Sequence, residues 1–346
     1  MKQTYVIGEI GQNHNGSVEL AKNIIDAAET TIMSHNLGYN PIPVDAVKFT
    51  KRDLSEELTT SEMERPYNSP NSFGKTYGEH RAFLELSDEE HFELYKYAKS
   101  KGLDFVETLC SPGCLSLLKL FTPDRLKVAS RDLTNLPLLA AMAETKIPII
   151  LSTGMGGIKE LDQALKTITQ YHDDITILHC LSQYPAEFEN INLNSIPFLK
   201  KRYPQYTIGY SDHSIGIMIP VVAAAMGAEV IEKHITLDRT LKGTDQQGSL
   251  APEGIFRMMR DIRNVDKAMG KEDMFINPAV SAAKQKLERS IATNKPIDKG
   301  SVIKEEDLHL LSPGTGFRWS EREHVIGKTA KVAIPKNELI EHDKIK

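Results

Sequence analysis

The sequence predicts an α/β fold, a (β/α)₈ TIM barrel followed by a small, mostly β domain. Three observations support this prediction. Eight short apolar runs, each bounded by turn residues, recur between residues 4 and 236. The stretches between these runs have helical periodicity, so strands and helices alternate along the chain. From residue 289 the pattern changes to short strands and turns with no long helix.

The eight apolar runs are the predicted barrel strands. In chain order they read TYVIGEI, DAVKFT, DFVETL, RLKVAS, IPIILST, ITILHC, YTIGYS and EVIEKHIT. Helical segments follow them, for example SDEEHFELYKYAKSKG, in which Ser87 is an N-cap signal and Gly102 a stop signal. Alternating units can also build an open doubly wound sheet, but its ligand groups come from a single switch point. Polar residues follow most of the strands here, which favours the barrel.

The pattern along the chain also predicts where the domains begin and end. We place a TIM-barrel catalytic domain at residues 1–270, a polar linker at 271–288 and the small β domain at 289–346. The connection after the second strand, residues 51–86, is long and rich in Pro, Gly, Asn and Ser. We therefore expect it to form a lid over the barrel mouth.

Composition limits the possible partners. The chain has 42 Lys and Arg residues against 47 Asp and Glu residues, a formal net charge of −5, so no nucleic-acid partner is expected. No apolar run is long enough to span a membrane, and the N-terminus becomes polar too soon for a signal peptide, so we expect a cytoplasmic protein without a membrane partner. The three cysteines, an odd number, are expected to be reduced and buried: Cys110, Cys114 and Cys180.

Polar side chains close most of the predicted strands, at the end where the chemistry of a TIM barrel lies. Lys48 closes the second strand and Lys127 the fourth. Ammonium groups supply charge, and hydroxyl groups supply hydrogen bonds, to a phosphate or carboxylate. Taken singly, each such residue could also be a solvated surface group. Together they predict an anion site made of these two lysines and four serines, Ser130, Ser152, Ser182 and Ser211.

Two histidines lie at the ends of neighbouring predicted strands, His213 in YSDHSIG and His234 in EKHITLD. Two imidazoles at this place can share a divalent metal, with water or substrate oxygens in the other positions. Alternation along each strand puts Glu232 on the face of His234, and Ser211 on the face of His213. A plainer interpretation is that the histidines are hydrogen-bonded structural residues and that Glu232 only pairs with a lysine.

These residues lie in stretches that resemble the sialic acid synthase family, whose members condense phosphoenolpyruvate with an N-acetylhexosamine to a nine-carbon 2-keto acid. The segment ERPYNSPNSFGKTYGEHR also resembles the corresponding loop of the animal-type N-acetylneuraminate-9-phosphate synthases, which use N-acetylmannosamine 6-phosphate. The matching stretches span nearly the whole chain: IGEIGQNHNGS, AVKF, KVASRDLTNLPLL, LSTGM, LHCLSQYPA, IGYSDHSIG, EKHITLDRTLKGTD, RSI, KG and LSPGTG.

The resemblance implies a barrel followed by an antifreeze-like (SAF) domain, in a domain-swapped homodimer where each small domain covers the partner's active site. It implies that His213 and His234 bind manganese, and that the lysines and serines named above bind phosphoenolpyruvate. It also implies that Tyr184 and Asp245 contact the amino sugar. The expected catalytic residues are Lys48, Glu232 and Asp245.

Some positions depart from the family pattern. Thr50 stands where free-sugar synthases commonly carry Gln, and Ser182 stands where Asn is usual. Asp132 stands where Glu is usual, and we include it among the expected substrate-binding residues. Ser312 stands where an arginine is expected before PG, and we expect Arg318 to supply the missing cation.

The sequence leaves the acceptor and two other functions open. We expect the free sugar, as most microbial members use it, and the alternative is the 6-phosphate, for which Lys75 and Arg81 would supply the cations. A different phosphoenolpyruvate-dependent sugar-acid synthase or a metal aldolase would keep the barrel and the metal. A hypothesis from another functional class is a non-catalytic carbohydrate- or ice-binding protein, suggested by the antifreeze-like tail.

Overall fold

The protein is described by a computed structural model that covers residues 3–29 and 42–346. The chain divides into two compact units, Met1–Gly270 and Lys271–Lys346. In the first unit eight parallel strands form a closed barrel in chain order, and the last strand pairs with the first. The predicted TIM barrel is therefore confirmed. Its strands are β1 (Tyr5–Gly11), β2 (Ala46–Lys51), β3 (Asp104–Leu109), β4 (Arg125–Val128), β5 (Ile149–Ser152), β6 (Ile175–Cys180), β7 (Thr207–Asp212) and β8 (Val230–His234).

Helices follow the barrel strands and cover them from outside. After β3 the chain forms a 3₁₀ helix over Pro112–Lys119 in place of an α-helix. In the part of the chain that the structure describes, no helix has the length and apolar character needed to span a bilayer. The α-helices of the first unit are α1 (Val18–Glu29), α2 (Leu54–Glu57), α3 (Thr60–Glu64), α4 (Tyr77–Leu84), α5 (Asp88–Ser100), α6 (Leu136–Glu144), α7 (Ile158–Ile168), α8 (Phe188–Ile191), α9 (Ser195–Arg202), α10 (Met218–Ala225) and α11 (Pro252–Ala268).

Helix α5 begins and ends at the signals that the sequence carries. The Ser87 hydroxyl accepts the N–H of Glu90, and the Glu90 carboxylate accepts the N–H of Ser87, which forms a capping box. Gly102 follows the helix with a φ of +76°, a conformation that favours glycine. A capping box therefore sets the start of this helix, and a glycine in the left-handed conformation follows its end.

The connection after β2 is an insertion, residues 52–86, that contains α2, α3 and α4. Thr76 and Glu79 form a capping box that starts α4, with the Glu79 N–H donating to the Thr76 hydroxyl at 3.1 Å. Helix α4 carries Arg81 toward the barrel mouth, where its side chain lines the central cavity. The insertion therefore contributes a cation to the site.

The barrel interior has an apolar layer below a polar layer. Side chains alternate between the two faces of a strand, so residues two apart share the inward face. The apolar layer consists of Ile7, Ala46, Val106, Ile150, Leu178 and Val230, all buried. Two residues further along the same strands, each inward position is polar or a cysteine: Glu9, Lys48, Thr108, Ser152, Cys180 and Glu232. The apolar layer closes the barrel, and the polar layer forms the floor of a site above it.

The second unit is small and mostly irregular, with a two-stranded antiparallel sheet of β9 (Ser290–Thr293) and β10 (Leu308–Leu311). Isolated bridges add further pairing, such as Ile297 with Ile334. A short helix, α12 (Ser281–Leu287), lies in the stretch predicted as a linker and has no buried residue. The core of this unit consists of Ile291, Ile297, Ile303, Leu308, Phe317, Val325, Ala330, Ile334, Ile340 and Ile345.

Candidate active site

A cavity of about 320 Å³ lies at the carboxyl ends of the barrel strands. This volume is within the range of small-molecule sites. The structure brings most of the predicted site residues together in its wall: Lys48, Lys127, Ser130, Ser152, Ser182, Tyr184, Ser211, His213, Glu232, His234 and Asp245.

Four buried charged side chains form the floor of the cavity. The Nζ of Lys48 lies 2.7 Å from Oε2 of Glu9 and 3.8 Å from Oε2 of Glu232. The Nζ of Lys127 lies 3.7 Å from Oε1 of Glu232, and the Ser211 hydroxyl donates to the same oxygen at 2.9 Å. Burying charges is costly unless partners compensate, so this cluster is typical of a binding or catalytic site.

The pKa values of the two carboxyl groups of the floor shift in opposite directions. Burial raises the pKa of Glu9, and the charge of Glu232 adds to this, although Lys48 opposes it. Burial also acts to raise the pKa of Glu232, but Lys127 and Lys48 outweigh it and hold that pKa well below its usual range. Glu232 therefore stays ionised, whereas Glu9 takes up a proton more readily than an exposed carboxyl.

The pKa values of the two ammonium groups also shift in opposite directions. Burial acts to lower the pKa of Lys48, but Glu232 and Glu9 raise it above the usual value. Burial lowers the pKa of Lys127, and Glu232 compensates only in part. An anion bound beside Lys127 would favour its charged form, so this position is suited to a ligand that brings negative charge.

Hydroxyl groups stand beside the ammonium groups. The Ser152 hydroxyl is buried and has no hydrogen-bond partner among the described residues. The Ser130 hydroxyl accepts the N–H of Gly154 at 3.0 Å. A Cβ at Gly154 would lie 2.5 Å from the Ser182 hydroxyl and 2.8 Å from that of Ser130, so only glycine fits there. The turn after β5 thus keeps space beside the serines for ligand oxygens.

The two predicted metal ligands face each other across the cavity. The ring centroids of His213 and His234 are 5.6 Å apart, and Tyr184 packs on His213 at 4.0 Å between centroids. His213 donates its Nδ1–H to the carbonyl of Leu181 at 2.7 Å, which leaves the Nε2 lone pair for a ligand. This carbonyl fixes the tautomer and the ring orientation, as in many metal sites.

The histidines fit a divalent metal as two nitrogen donors. Burial lowers the pKa of His234, which keeps the imidazole neutral, as a metal ligand must be. Its Nδ1 is buried without a hydrogen-bond partner. Among the residues that the structure covers, no group of three His, Cys, Asp or Glu side chains is placed to hold a metal. Water or substrate oxygens would complete the coordination.

Three arginines line the same cavity, Arg52, Arg81 and Arg131, and one carboxylate of the insertion forms ion pairs with two of them. Glu57 lies 2.7 Å from Nη1 of Arg131 and 3.4 Å from Nε of Arg52. Arg81 instead donates to the Gln12 side chain at 2.7 Å and to the Tyr77 hydroxyl. No described carboxylate forms an ion pair with Arg81.

Two predicted residues of the first unit, Asp132 and Lys75, do not line the cavity. Asp132 lies behind its wall, where it accepts hydrogen bonds from Arg131 and Asn135, each at 3.3 Å. Arg318 belongs to the second unit, with its Nε 3.5 Å from Glu288. Lys75 is exposed and is absent from the cavity wall, unlike Arg81 in the same insertion.

Several residues that line the cavity were not predicted as site residues from the sequence. Glu9 carried the same signal as Glu232, an acidic residue inside an apolar strand, and alternation could have placed it on the floor. Cys180, Thr108 and Gln12 also line the cavity. Burial acts to raise the pKa of the Cys180 thiol, but His213 outweighs it and lowers that pKa. Gln12 had no comparable signal, because it lies in a loop.

Fold and cavity together define a class of protein: a (β/α)₈ barrel with a cationic small-molecule site at its strand ends, joined to a small β unit. The NeuB family model matches residues 41–274, and the SAF domain model matches residues 288–346. This chain belongs to the NeuB family and carries a SAF domain, which confirms the predicted resemblance.

Known relatives cover nearly the whole chain. N-acetylneuraminate-9-phosphate synthase of Homo sapiens is 32% identical over 97% of this chain and 91% of its own length. N,N'-diacetyllegionaminic acid synthase of Legionella pneumophila is 35% identical over 93% and 89%. The solved N-acetylneuraminic acid synthetase of Leptospira borgpetersenii, in complex with citrate, has a TM-score of 0.67 at 31% identity and covers 81% of this chain and 90% of that one.

Proposed function

We propose that the protein is a nonulosonate synthase. It condenses phosphoenolpyruvate with N-acetylmannosamine or a related hexosamine, and it releases N-acetylneuraminate or a related nonulosonate plus phosphate. The observation that carries this proposal is the pair of buried ammonium groups, Lys48 and Lys127, beside a pair of imidazoles in one cavity. The relatives named as neuraminate and legionaminate synthases support it.

Phosphoenolpyruvate fits the cationic half of the cavity. Its phosphate and carboxylate would contact the ammonium groups of Lys48 and Lys127 and the free hydroxyl of Ser152. Ser130 and Ser182, beside Gly154, would supply further hydrogen bonds. Such preorganised donors hold the enol with its C3 exposed and need no reorganisation during reaction.

In the proposed reaction, C3 of phosphoenolpyruvate forms a bond to the aldehyde carbon of the open-chain sugar, and the aldehyde oxygen takes up a proton. Water then adds to C2, and phosphate leaves as the C2–O bond breaks. Glu232, which stays ionised beside Ser211, would orient the water or accept its proton. Asp245 would hydrogen-bond the sugar, and Tyr184 would contact it.

His213 and His234 would hold the divalent ion, for which we propose Mn²⁺. When bound, the ion supplies Lewis-acid polarisation of the aldehyde oxygen. The protein's own part is to keep the His234 imidazole neutral through its burial, and to orient the His213 ring through the carbonyl of Leu181.

Phosphate release tests this proposal. The chain is incubated with phosphoenolpyruvate and Mn²⁺, with and without each hexosamine, and the product is identified by mass spectrometry. We expect phosphate only with a hexosamine, together with a product mass equal to both substrates plus water minus phosphoric acid. Phosphate release that needs no hexosamine would contradict the proposal, and condensation without any release of phosphate would favour a metal aldolase. A lack of turnover, with sugar binding intact after chelation, would favour an inert binder.

One observation favours a second candidate function. Arg81 lines the cavity without a carboxylate partner among the described residues, and an anionic acceptor could fill that role. The chain would then be an N-acetylneuraminate-9-phosphate synthase that uses N-acetylmannosamine 6-phosphate. The free sugar remains our first proposal, because Arg81 is already hydrogen-bonded to Gln12 and Tyr77.

The variant Arg81→Ala distinguishes a phosphorylated acceptor from the free sugar. If the acceptor is phosphorylated, this change should raise its KM by about ten- to a hundredfold, the value of a lost charge-assisted hydrogen bond, and leave the KM of phosphoenolpyruvate unchanged. Lys75→Ala is the matched control, because it removes an exposed cation of the same insertion. A wild-type kcat/KM that is equal or higher for free N-acetylmannosamine would reject the phosphorylated acceptor.

We also propose a domain-swapped homodimer, on the strength of the resemblance to the family. Light scattering of the purified chain should give a mass near twice 38.7 kDa. The measurement is made over a range of concentrations, so that dissociation on dilution is seen. A mass of one chain at working concentrations would contradict the dimer.

A further inference from the structure

A buried ion pair joins the ends of β7 and β8. The Nζ of Lys233 lies 2.6 Å from Oδ2 of Asp212, and both side chains are fully buried. The two residues are Cα partners in the sheet, one step beyond the pair of Ser211 and Glu232. Because Ser211 and Glu232 point into the cavity, alternation directs Asp212 and Lys233 to the outer face of the barrel.

Further hydrogen bonds complete this cluster. The Lys233 ammonium also donates to the carbonyl of Ser214. The backbone N–H and the hydroxyl of Ser214 donate to the Asp212 carboxylate, at 3.2 and 3.0 Å. The Tyr210 hydroxyl donates to the same carboxylate at 2.9 Å. We name these four residues, Tyr210, Asp212, Ser214 and Lys233, the clamp.

In the sequence, clamp residues flank His213 on both sides and stand directly before His234. Asp212 and Ser214 stand on either side of His213, and the ammonium of Lys233 contacts both of them. Lys233 is in turn the residue before His234. One ammonium group therefore ties the backbone that carries one imidazole to the backbone that carries the other.

Stability alone does not account for such a pair. A buried ion pair costs several kcal/mol per ion in desolvation, and well-packed apolar residues of similar volume are often as stable or more so. A fixed set of hydrogen bonds, however, allows only one geometry for the strand ends. The clamp therefore fixes the separation of His213 and His234, which an apolar pair would not do.

We infer that Asp212 and Lys233 are positioning residues, which set the relative position of His213 and His234 and thereby the affinity for the divalent metal. The inference rests on the proposed function, in which these histidines hold the metal. Residues that orient metal ligands typically contribute about ten- to a hundredfold in metal affinity.

The test replaces the charges and keeps the volume, with Asp212→Leu and Lys233→Met together. Mn²⁺ affinity is measured by electron paramagnetic resonance of the free ion, without substrates, and stability is measured by urea unfolding. We expect the Kd for Mn²⁺ to rise about ten- to a hundredfold. The free energy of unfolding should change little. The matched control is Glu107→Leu, which breaks a similarly buried pair with His91, 3.0 Å apart and remote from β7 and β8. It should destabilise the fold without changing the Kd.

The outcomes separate the inference from the function on which it rests. If His213→Ala weakens Mn²⁺ binding but the folded clamp variant binds as tightly as the wild type, the inference is wrong and the proposed metal site stands. If the wild type does not bind Mn²⁺, both are wrong. If the double variant fails to fold, Asp212→Asn decides, because it keeps the side-chain volume and removes the charge that pairs with Lys233, and it should raise the Kd about tenfold. An unchanged Kd in that variant would overturn the inference.

Discussion

Replacing His213 or His234 with alanine is expected to remove turnover and to weaken Mn²⁺ binding, while the barrel stays folded. Each change deletes one of the two nitrogen donors in the cavity wall. A metal that stabilises developing negative charge contributes several kcal/mol to the transition state, so kcat should fall roughly a thousandfold. Turnover is measured by steady-state kinetics with added Mn²⁺, folding by circular dichroism, and Mn²⁺ affinity by titration.

The matched control for this prediction is His91→Ala. His91 lies on α5, and its Nδ1 is 3.0 Å from the Glu107 carboxylate, outside the cavity wall. Its loss should reduce stability and leave the Kd for Mn²⁺ unchanged. Full activity of the double variant His213→Ala with His234→Ala, after treatment with a chelator, would show that the reaction does not need a metal at these residues.

The strand-end residues were predictable because two simple rules apply to them. Alternation along a strand assigns each side chain to a face, and parallel strands in a barrel bring their carboxyl ends to one side. Lys48, Lys127, Ser211 and Glu232 follow from these rules and lie on one floor. Their ion pairs and distances did not follow, because these depend on the register of strands that are distant in the sequence.

Glu9 shows how a residue with the right signal was missed. Its closeness to Lys48 depends on the pairing of β1 with β2, and this pairing shifts register between Glu9 and Gly11. Its closeness to Glu232 depends on the closure of the barrel, which brings β8 next to β1. Neither pairing is visible in the local pattern of β1.

The insertion was predicted as a lid over the barrel mouth, without any element inside it, and in the structure it contains three short helices. The motif Thr76-x-x-Glu79 is a capping-box signal that could have placed the start of α4. Abundant Pro, Gly, Asn and Ser concealed it. Arg81 faces the cavity and Lys75 does not, because of the way this insertion packs. The local sequence pattern does not predict this packing.

The anion site leads to the second large effect. Lys48→Met and Lys127→Met should each raise the KM of phosphoenolpyruvate about ten- to a hundredfold, because each removes a charge-assisted hydrogen bond in a buried place. Either change also removes one of the two cations that hold down the pKa of Glu232, so burial would raise that pKa and part of the Glu232 carboxylate would become protonated. The double variant should lose measurable turnover. Initial rates at varied phosphoenolpyruvate and fixed hexosamine measure both effects.

Lys51→Met is the matched control, since Lys51 lies on the same strand as Lys48 and also pairs with a carboxylate, Asp88 at 3.0 Å, but does not line the cavity. Its loss should lower stability and leave the KM of phosphoenolpyruvate near the wild-type value. The comparison distinguishes a specific anion site from a general need for positive charge on β2. If Lys51→Met raises this KM as much as Lys48→Met does, the floor of the cavity is not where phosphoenolpyruvate binds. If neither Lys48→Met nor Lys127→Met changes it, the two ammonium groups serve only to neutralise Glu9 and Glu232.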